Sequence, residues 1–181
     1  MKKKVIIGLS VLALVALMAV GTWAWFTAAD SVDNTFATGT VDISIVEEFE
    51  DVEDWNPGDT TVKEVSVKNN GSLDAFVRVK LTPVWTPAEG SEAVLGIDNV
   101  ALNLSDDPNW VKEGDYYYYL VALAPGAETP LLLESVTLIG AGTSNDYQGA
   151  ELEITVDAQA IQVANVLDGE ITVAKLAALD W

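Results

Sequence analysis

Polar and apolar residues alternate along most of this chain, and the alternation gives way only towards its two ends. The clearest stretch runs from Asp74 to Pro83, where Ala75, Val77, Val79 and Leu81 share one face and Phe76, Arg78, Lys80 and Thr82 the other. A period of two with one apolar side predicts a half-buried antiparallel strand. The same reading predicts a first strand from Thr35, with Thr35, Ala37, Gly39, Val41, Ile43 and Ile45 on a face that becomes apolar towards its end. Further strands are expected at Val62 to Lys68, Val100 to Leu104, Tyr116 to Leu123, Leu131 to Leu138 and Gly149 to Ala160, the last with Leu152, Ile154 and Val156 inward.

Turn chemistry separates these runs. Pro57-Gly58 has the sequence of a type II turn, since proline presets the first φ and glycine accepts the positive second one. Asn69-Asn70-Gly71-Ser72, Asp106 to Asn109 and Gly140 to Asp146 mark further turns, and Trp85 to Gly96 looks like a loop. NPGDTTVKEVSV and APGAETPLLLESV form a weak repeat in which Pro-Gly precedes a threonine and a strand. Eight or nine short strands between such turns predict an all-β protein, an antiparallel β-sandwich of jelly-roll type.

The ends differ. Lys2, Lys3 and Lys4 precede the apolar run Val5 to Val20, which is short for a spanning helix and has the layout of a helical secretory signal peptide. Thr22-Trp23-Ala24 places small residues where a signal peptidase reads, predicting cleavage between Ala24 and Trp25; Thr27-Ala28-Ala29 is a second candidate, and an uncleaved anchor is the alternative. The expected organisation is a signal peptide over 1–24, a mature amino-terminal segment over 25–34, the sandwich over 35–165 and a tail over 166–181. In the tail, Val173, Leu176 and Leu179 have helical spacing after a β-rich start, which leaves its state open.

Composition narrows the function. The chain has no Cys and no His, so it lacks disulfides, thiolate ligands, and the commonest general base and metal ligand. No GxSxG, P-loop, dinucleotide fingerprint or HExxH motif is present. An enzyme is therefore not expected, and neither a cofactor nor a catalytic residue is assigned. All 28 acidic residues lie from Asp30 onward, and removal of the signal would leave six basic residues, a balance of −22. Such a surface repels nucleic acid and anionic membranes, so contact with a membrane is expected only through the uncleaved signal peptide. The acids at Glu47 to Asp54 with Asp59, and at Asp106 and Asp107, are expected to be solvated loop residues; a calcium site or a glycosidase pair would need spatial grouping beyond sequence spacing.

Aromatic residues crowd the predicted junction. Trp25, Phe26 and Phe36 would remain after cleavage, either packed on their own domain or free to pair with an unpaired sheet edge of another subunit. The stretch GTWAWFTAADSVDNTFATGTVDI resembles the junction of the TasA/camelysin family of SipW-dependent exported proteins. WNPGDTTVKEVSVKNNGSLDAFVRVKLTP, DYYYYLVALAPGAETPLL and YQGAELEITVDAQAIQVAN are similar to its BsaA-type biofilm matrix members. The resemblance implies a Gram-positive source, export with cleavage by a SipW-type signal peptidase, a jelly-roll fold, and assembly into extracellular matrix fibres. In those fibres each subunit's amino-terminal strand would complete the sheet of the next.

Carried onto this chain, the resemblance puts the cut after Ala24, the mature start at Trp25 and Phe26, and the first-strand motif at Phe36, Gly39, Thr40, Val41 and Asp42. Trp25 departs from the small residue the family pattern has there, and the absence of His means that the metallopeptidase label of some members does not carry over. The expected assembly residues are Trp25, Phe26, Phe36, Val41 and Ile43, and the expected partners are copies of this chain or related matrix proteins. A monomeric exported binding or accessory matrix module is the alternative.

Overall fold

The computed structural model describes residues 39–50, 55–164 and 169–181. Within them the alternating segments form eight strands: β1 (Ile43–Phe49), β2 (Thr60–Asn69), β3 (Ala75–Thr86), β4 (Val100–Leu104), β5 (Trp110–Glu113), β6 (Tyr116–Leu123), β7 (Leu133–Leu138) and β8 (Glu151–Gln162). A short helix, α1 (Val173–Ala177), follows. The strands pair antiparallel in two four-stranded sheets, β1-β2-β7-β4 and β5-β6-β3-β8. Strands distant in sequence are interleaved, β2 beside β7 and β3 between β6 and β8, as in a jelly-roll type of sandwich rather than a meander.

Inward rows from the two sheets make the core. Val65 and Val67 of β2, Val77 and Val79 of β3, Tyr117 and Tyr119 of β6, and Leu133 and Val136 of β7 are buried there. On β3 and β8 the inward row pairs Val79 with Ala158, Leu81 with Val156, Pro83 with Ile154 and Trp85 with Leu152. This row extends the strand past the loop start expected at Trp85. β3 pairs with β6 only as far as Val79, so Pro83 lies where the strand has β8 on one side and no paired strand among the described residues on the other, an edge-like position at which proline is tolerated.

Both Pro-Gly turns form as their sequences predict. Gly58 has φ 104° and Gly126 φ 77°, and the turns close through Asp59 N–H to Asn56 O at 2.9 Å and Ala127 N–H to Ala124 O at 3.0 Å. They lead towards β2 and β7, which are neighbours in one sheet. The repeat therefore marks equivalent entries into paired strands.

The structure departs from sequence expectation in three further places. Among the described residues the first strand begins at Ile43, with the expected start over 35–38 outside them, and it runs on through Glu47 and Glu48 to Phe49, because these residues pair with Val65, Glu64 and Lys63 of β2. A fourth strand of the second sheet, β5, follows the Asp106–Asn109 turn and pairs with β6. The outer face of β3, expected to meet solvent, is covered at one end by the carboxy-terminal tail: Phe76, Tyr118 and Leu176 form a second buried cluster with Val173, Leu179 and Trp181 packed against it. The helical spacing of Val173, Leu176 and Leu179 is the face that docks. The expected signal peptide, its cleavage site and the segment 25–34 lie outside the described residues.

Candidate functional site

Among the described residues the element that most resembles a site for a partner is β1. It is an edge strand, paired with β2 from Ile43↔Asn69 to Phe49↔Lys63, and among the described residues no strand pairs with the backbone N–H and C=O groups of its other edge. The register puts Ile43, Ile45, Glu47 and Phe49 on the face shared with the core residues Val65 and Val67. At an edge this inward face is incompletely covered. Ile45 is 37% and Phe49 56% exposed, Val46 on the opposite face is 39% exposed, and Val41 just before the strand is 38% exposed. Ile43 is half-buried and packs against the main core.

The Asn69–Ser72 turn holds the entry to this edge. Asn70 and Gly71 N–H donate to Asp42 O at 2.8 and 3.0 Å, and Ser72 N–H donates to Thr40 O at 3.0 Å. The close passage requires glycine, since a Cβ on Gly71 would lie 2.4 Å from Thr40 O. Asn69 is completely buried. Its Nδ2 donates to Leu73 O and Leu123 O, both at 2.8 Å, and its Oδ1 accepts from Gly71 N at 2.9 Å.

At the other end of β1 the Lys63 ammonium, with its side chain 10% exposed, donates to Glu47 and lies 5.1 Å from the centre of the Phe49 ring. Buried lysine is rare without a partner, so Glu47 is what makes this inward position tenable. Glu48, Phe49, Glu50 and Val62 line an open depression of about 270 Å³ beside it.

Of the expected assembly residues, the structure places Val41 and Ile43 together at this edge; Ala24, Trp25, Phe26 and Phe36 lie outside the described residues. Sequence reasoning missed Ile45, Val46 and Phe49 as exposed edge positions, because alternation shows which face is apolar but not whether anything covers it. The other acidic motif has a local use. Asp107 Oδ1 accepts from Asn109 N and Nδ2 at 2.8 and 2.9 Å, closing the turn before β5. Among the described residues no group of three or more His, Cys, Asp or Glu could hold a metal ion.

Residues 1–90 match the family model described as camelysin metallo-endopeptidase. The chain belongs to the camelysin family. Its similarity to one named protein is more limited: the major biofilm matrix component of Bacillus subtilis (strain 168) is 46% identical over 76 residues, which make up 40% of this chain and 29% of that protein. This camelysin-family chain thus spans less than a third of the length of the curated relative it matches. The family description names a metallo-endopeptidase, whereas this sequence contains no His and no HExxH.

Proposed function

We propose that this protein is an exported, non-enzymatic component of an extracellular biofilm matrix, assembled by addition of a strand from one subunit to the open β1 edge of another. The observation that carries the reading is the state of β1: seven residues of strand whose outer edge has no partner strand among the described residues, with Ile45, Val46 and Phe49 exposed. In strand addition, backbone hydrogen bonds supply affinity and alternate side chains supply fit, and an edge strand with uncovered apolar positions offers both. The similarity to the Bacillus matrix component supports the extracellular setting. The donor is the amino-terminal segment freed by cleavage, with Trp25 and Phe26 at its start and Phe36 at its end.

The non-enzymatic part rests on chemistry. Zinc peptidases of the HExxH type need two histidines on the metal and a glutamate base beside it, and this chain supplies no histidine.

Electron microscopy of the mature protein, with its amino terminus determined by mass spectrometry, tests the proposal. Fibres are expected from the protein beginning at Trp25, and deletion of Trp25 to Asn34 is expected to abolish them while leaving the β-sheet circular dichroism unchanged. A mature protein that stays monomeric at all salt concentrations, or a deletion that still polymerises, would overturn it.

A further inference from the structure

We infer that Asn70-Gly71 is a latent self-modification site, at which the chain deamidates through a succinimide when the entry to β1 comes away from the Asn69–Ser72 turn. Asn-Gly occurs at this one place in the chain. The chemistry needs only water and solvent base. Once its proton is taken, the Gly71 backbone nitrogen attacks Cγ of Asn70; the N–Cγ bond forms, the Cγ–Nδ2 bond breaks, and the amide nitrogen picks up a proton and leaves as ammonia. Water then opens the ring at either carbonyl, giving aspartate or isoaspartate at position 70. Glycine is the following residue that hinders the attack least, since it has no side chain beside the nitrogen and the widest backbone freedom. The fold cannot exchange it for a bulkier one: a Cβ on Gly71 would lie 2.4 Å from Thr40 O and 2.9 Å from Asp42 N.

In the folded chain both reacting groups are held. The Gly71 N–H donates to Asp42 O at 3.0 Å and to Asn69 Oδ1 at 2.9 Å, which keeps its proton engaged. Asn70 Nδ2 donates to Ser44 Oγ at 2.9 Å, and Asn70 N–H donates to Asp42 O at 2.8 Å, so the amide is tethered to β1 and its backbone to the residue before β1. Asn70 is exposed to solvent, and the contacts with Asp42 and Ser44 are what close the site. Asn69 beside it differs in every respect: it is completely buried, its Nδ2 is bonded to Leu73 O and Leu123 O, and a residue with a side chain follows it. Isoaspartate at position 70 lengthens the backbone exactly where Ser72 N–H reaches Thr40 O at 3.0 Å and Gly71 passes beneath it. The entry to β1 then cannot re-form, and its opening becomes permanent.

Peptide mapping by mass spectrometry of the purified protein, incubated at mildly alkaline pH, tests the inference. Conversion of amide to acid is expected at Asn70 and not at Asn69, and about tenfold or more slowly in the folded protein than in the same chain unfolded in urea, because only the open fraction reacts. Ser44→Ala removes the tether on the amide and should speed the folded-state reaction about twofold to fivefold, the weight of an exposed hydrogen bond. Ser91→Ala, in an exposed loop, should leave the rate unchanged. Amide exchange separates the two products. Asn70→Asp keeps the backbone length and should retain slow exchange at Gly71 and Ser72, whereas protein carrying isoaspartate at position 70 should lose it. Equal rates in the folded and unfolded chain, or Ser44→Ala reacting no faster than the unmodified protein, would overturn the closing of the site by β1. Isoaspartate-bearing protein that exchanges as slowly as Asn70→Asp would overturn the permanent release.

Discussion

The guanidinium of Arg78 lies 4.7 Å from the centre of the Trp181 indole, and this contact fastens the tail to the outer face of the second sheet. Arg78 is held from the other side as well. Its charge lies 4.1 Å from the centre of Tyr116, its Nε and Nη2 donate to Gln159 Oε1 at 2.8 and 2.5 Å, and its Nη1 donates to Tyr118 OH at 3.2 Å. Trp181 in turn packs edge-on against Tyr118 and donates its indole N–H to Leu176 O at 2.8 Å. Replacing Trp181 by alanine removes the cation–π contact, the ring packing and a cap on α1, and should cost about 2–3 kcal/mol. Trp181→Phe should recover part of this. Urea titration followed by circular dichroism measures the difference.

This second cluster is also where sequence reasoning stopped short. The limits of β4 and β6 coincide with those that alternation and β propensity predict, Val100–Leu104 and Tyr116–Leu123, because each run is bounded by turn residues. The outer row of β3, by contrast, reads Phe76, Arg78, Lys80, Thr82, a mixture typical of a solvated face. What covers such a face is settled by a segment whose Leu176 lies 100 positions beyond Phe76, and no local period encodes that. The edge character of β1 was hidden for the same reason. Alternation identifies Ile43 and Ile45 as a pair on one face, whereas their half-covered state depends on which strand order the sheet adopts.

Asn69 should be among the least replaceable polar residues. Completely buried, it bonds three backbone groups, Gly71 N–H in the turn that grips Thr40 and Asp42, Leu73 O just after it, and Leu123 O at the end of β6. Alanine there takes the Asn69 donors from two carbonyls and one of the two acceptors from the Gly71 N–H, which keeps Asp42 O, and a cost of about 2–4 kcal/mol is expected. Aspartate keeps the acceptor and the shape but loses both donors, and adds a buried charge, so Asn69→Asp should be no better than Asn69→Ala. Thermal unfolding of the two variants side by side checks the order.

The Lys63–Glu47 pair should respond asymmetrically to mutation. Glu47→Ala leaves a buried ammonium beside Phe49 without its carboxylate, whereas Lys63→Met replaces that ammonium with an apolar side chain of similar length and leaves only a half-exposed glutamate behind. A buried pair broken from one side is penalised by the charge that remains, and apolar replacement is often neutral. Glu47→Ala is expected to cost about 1–3 kcal/mol and Lys63→Met less than about 1 kcal/mol, since the site is at an edge and partly open to water. Denaturant midpoints of the two single variants decide it. Equal losses would mean that packing of the lysine stem, and not its charge, is what the site uses.

If β1 is the edge at which subunits join, a charge on its inward face should block joining without unfolding the subunit. Inward-pointing lysine is a device by which natural edge strands avoid pairing, because an added strand would bury the charge while the free edge leaves it in water. Ile45 is the position to use: it lies mid-strand opposite Val67 and is 37% exposed, so an ammonium placed there can still reach solvent in the monomer. The lost burial of a partly exposed isoleucine should cost about 1–2 kcal/mol, small enough for the sandwich to persist. Ile139→Lys supplies the matched comparison, since Ile139 is also 37% exposed but follows β7, away from the β1 edge. Both substitutions change net charge equally, so any general effect on mutual repulsion is common to them. Sedimentation of the mature proteins should show polymer for Ile139→Lys and monomer for Ile45→Lys, with both retaining a cooperative melt. Polymer formation by Ile45→Lys at the level of the unmodified protein would mean that subunits join through another edge.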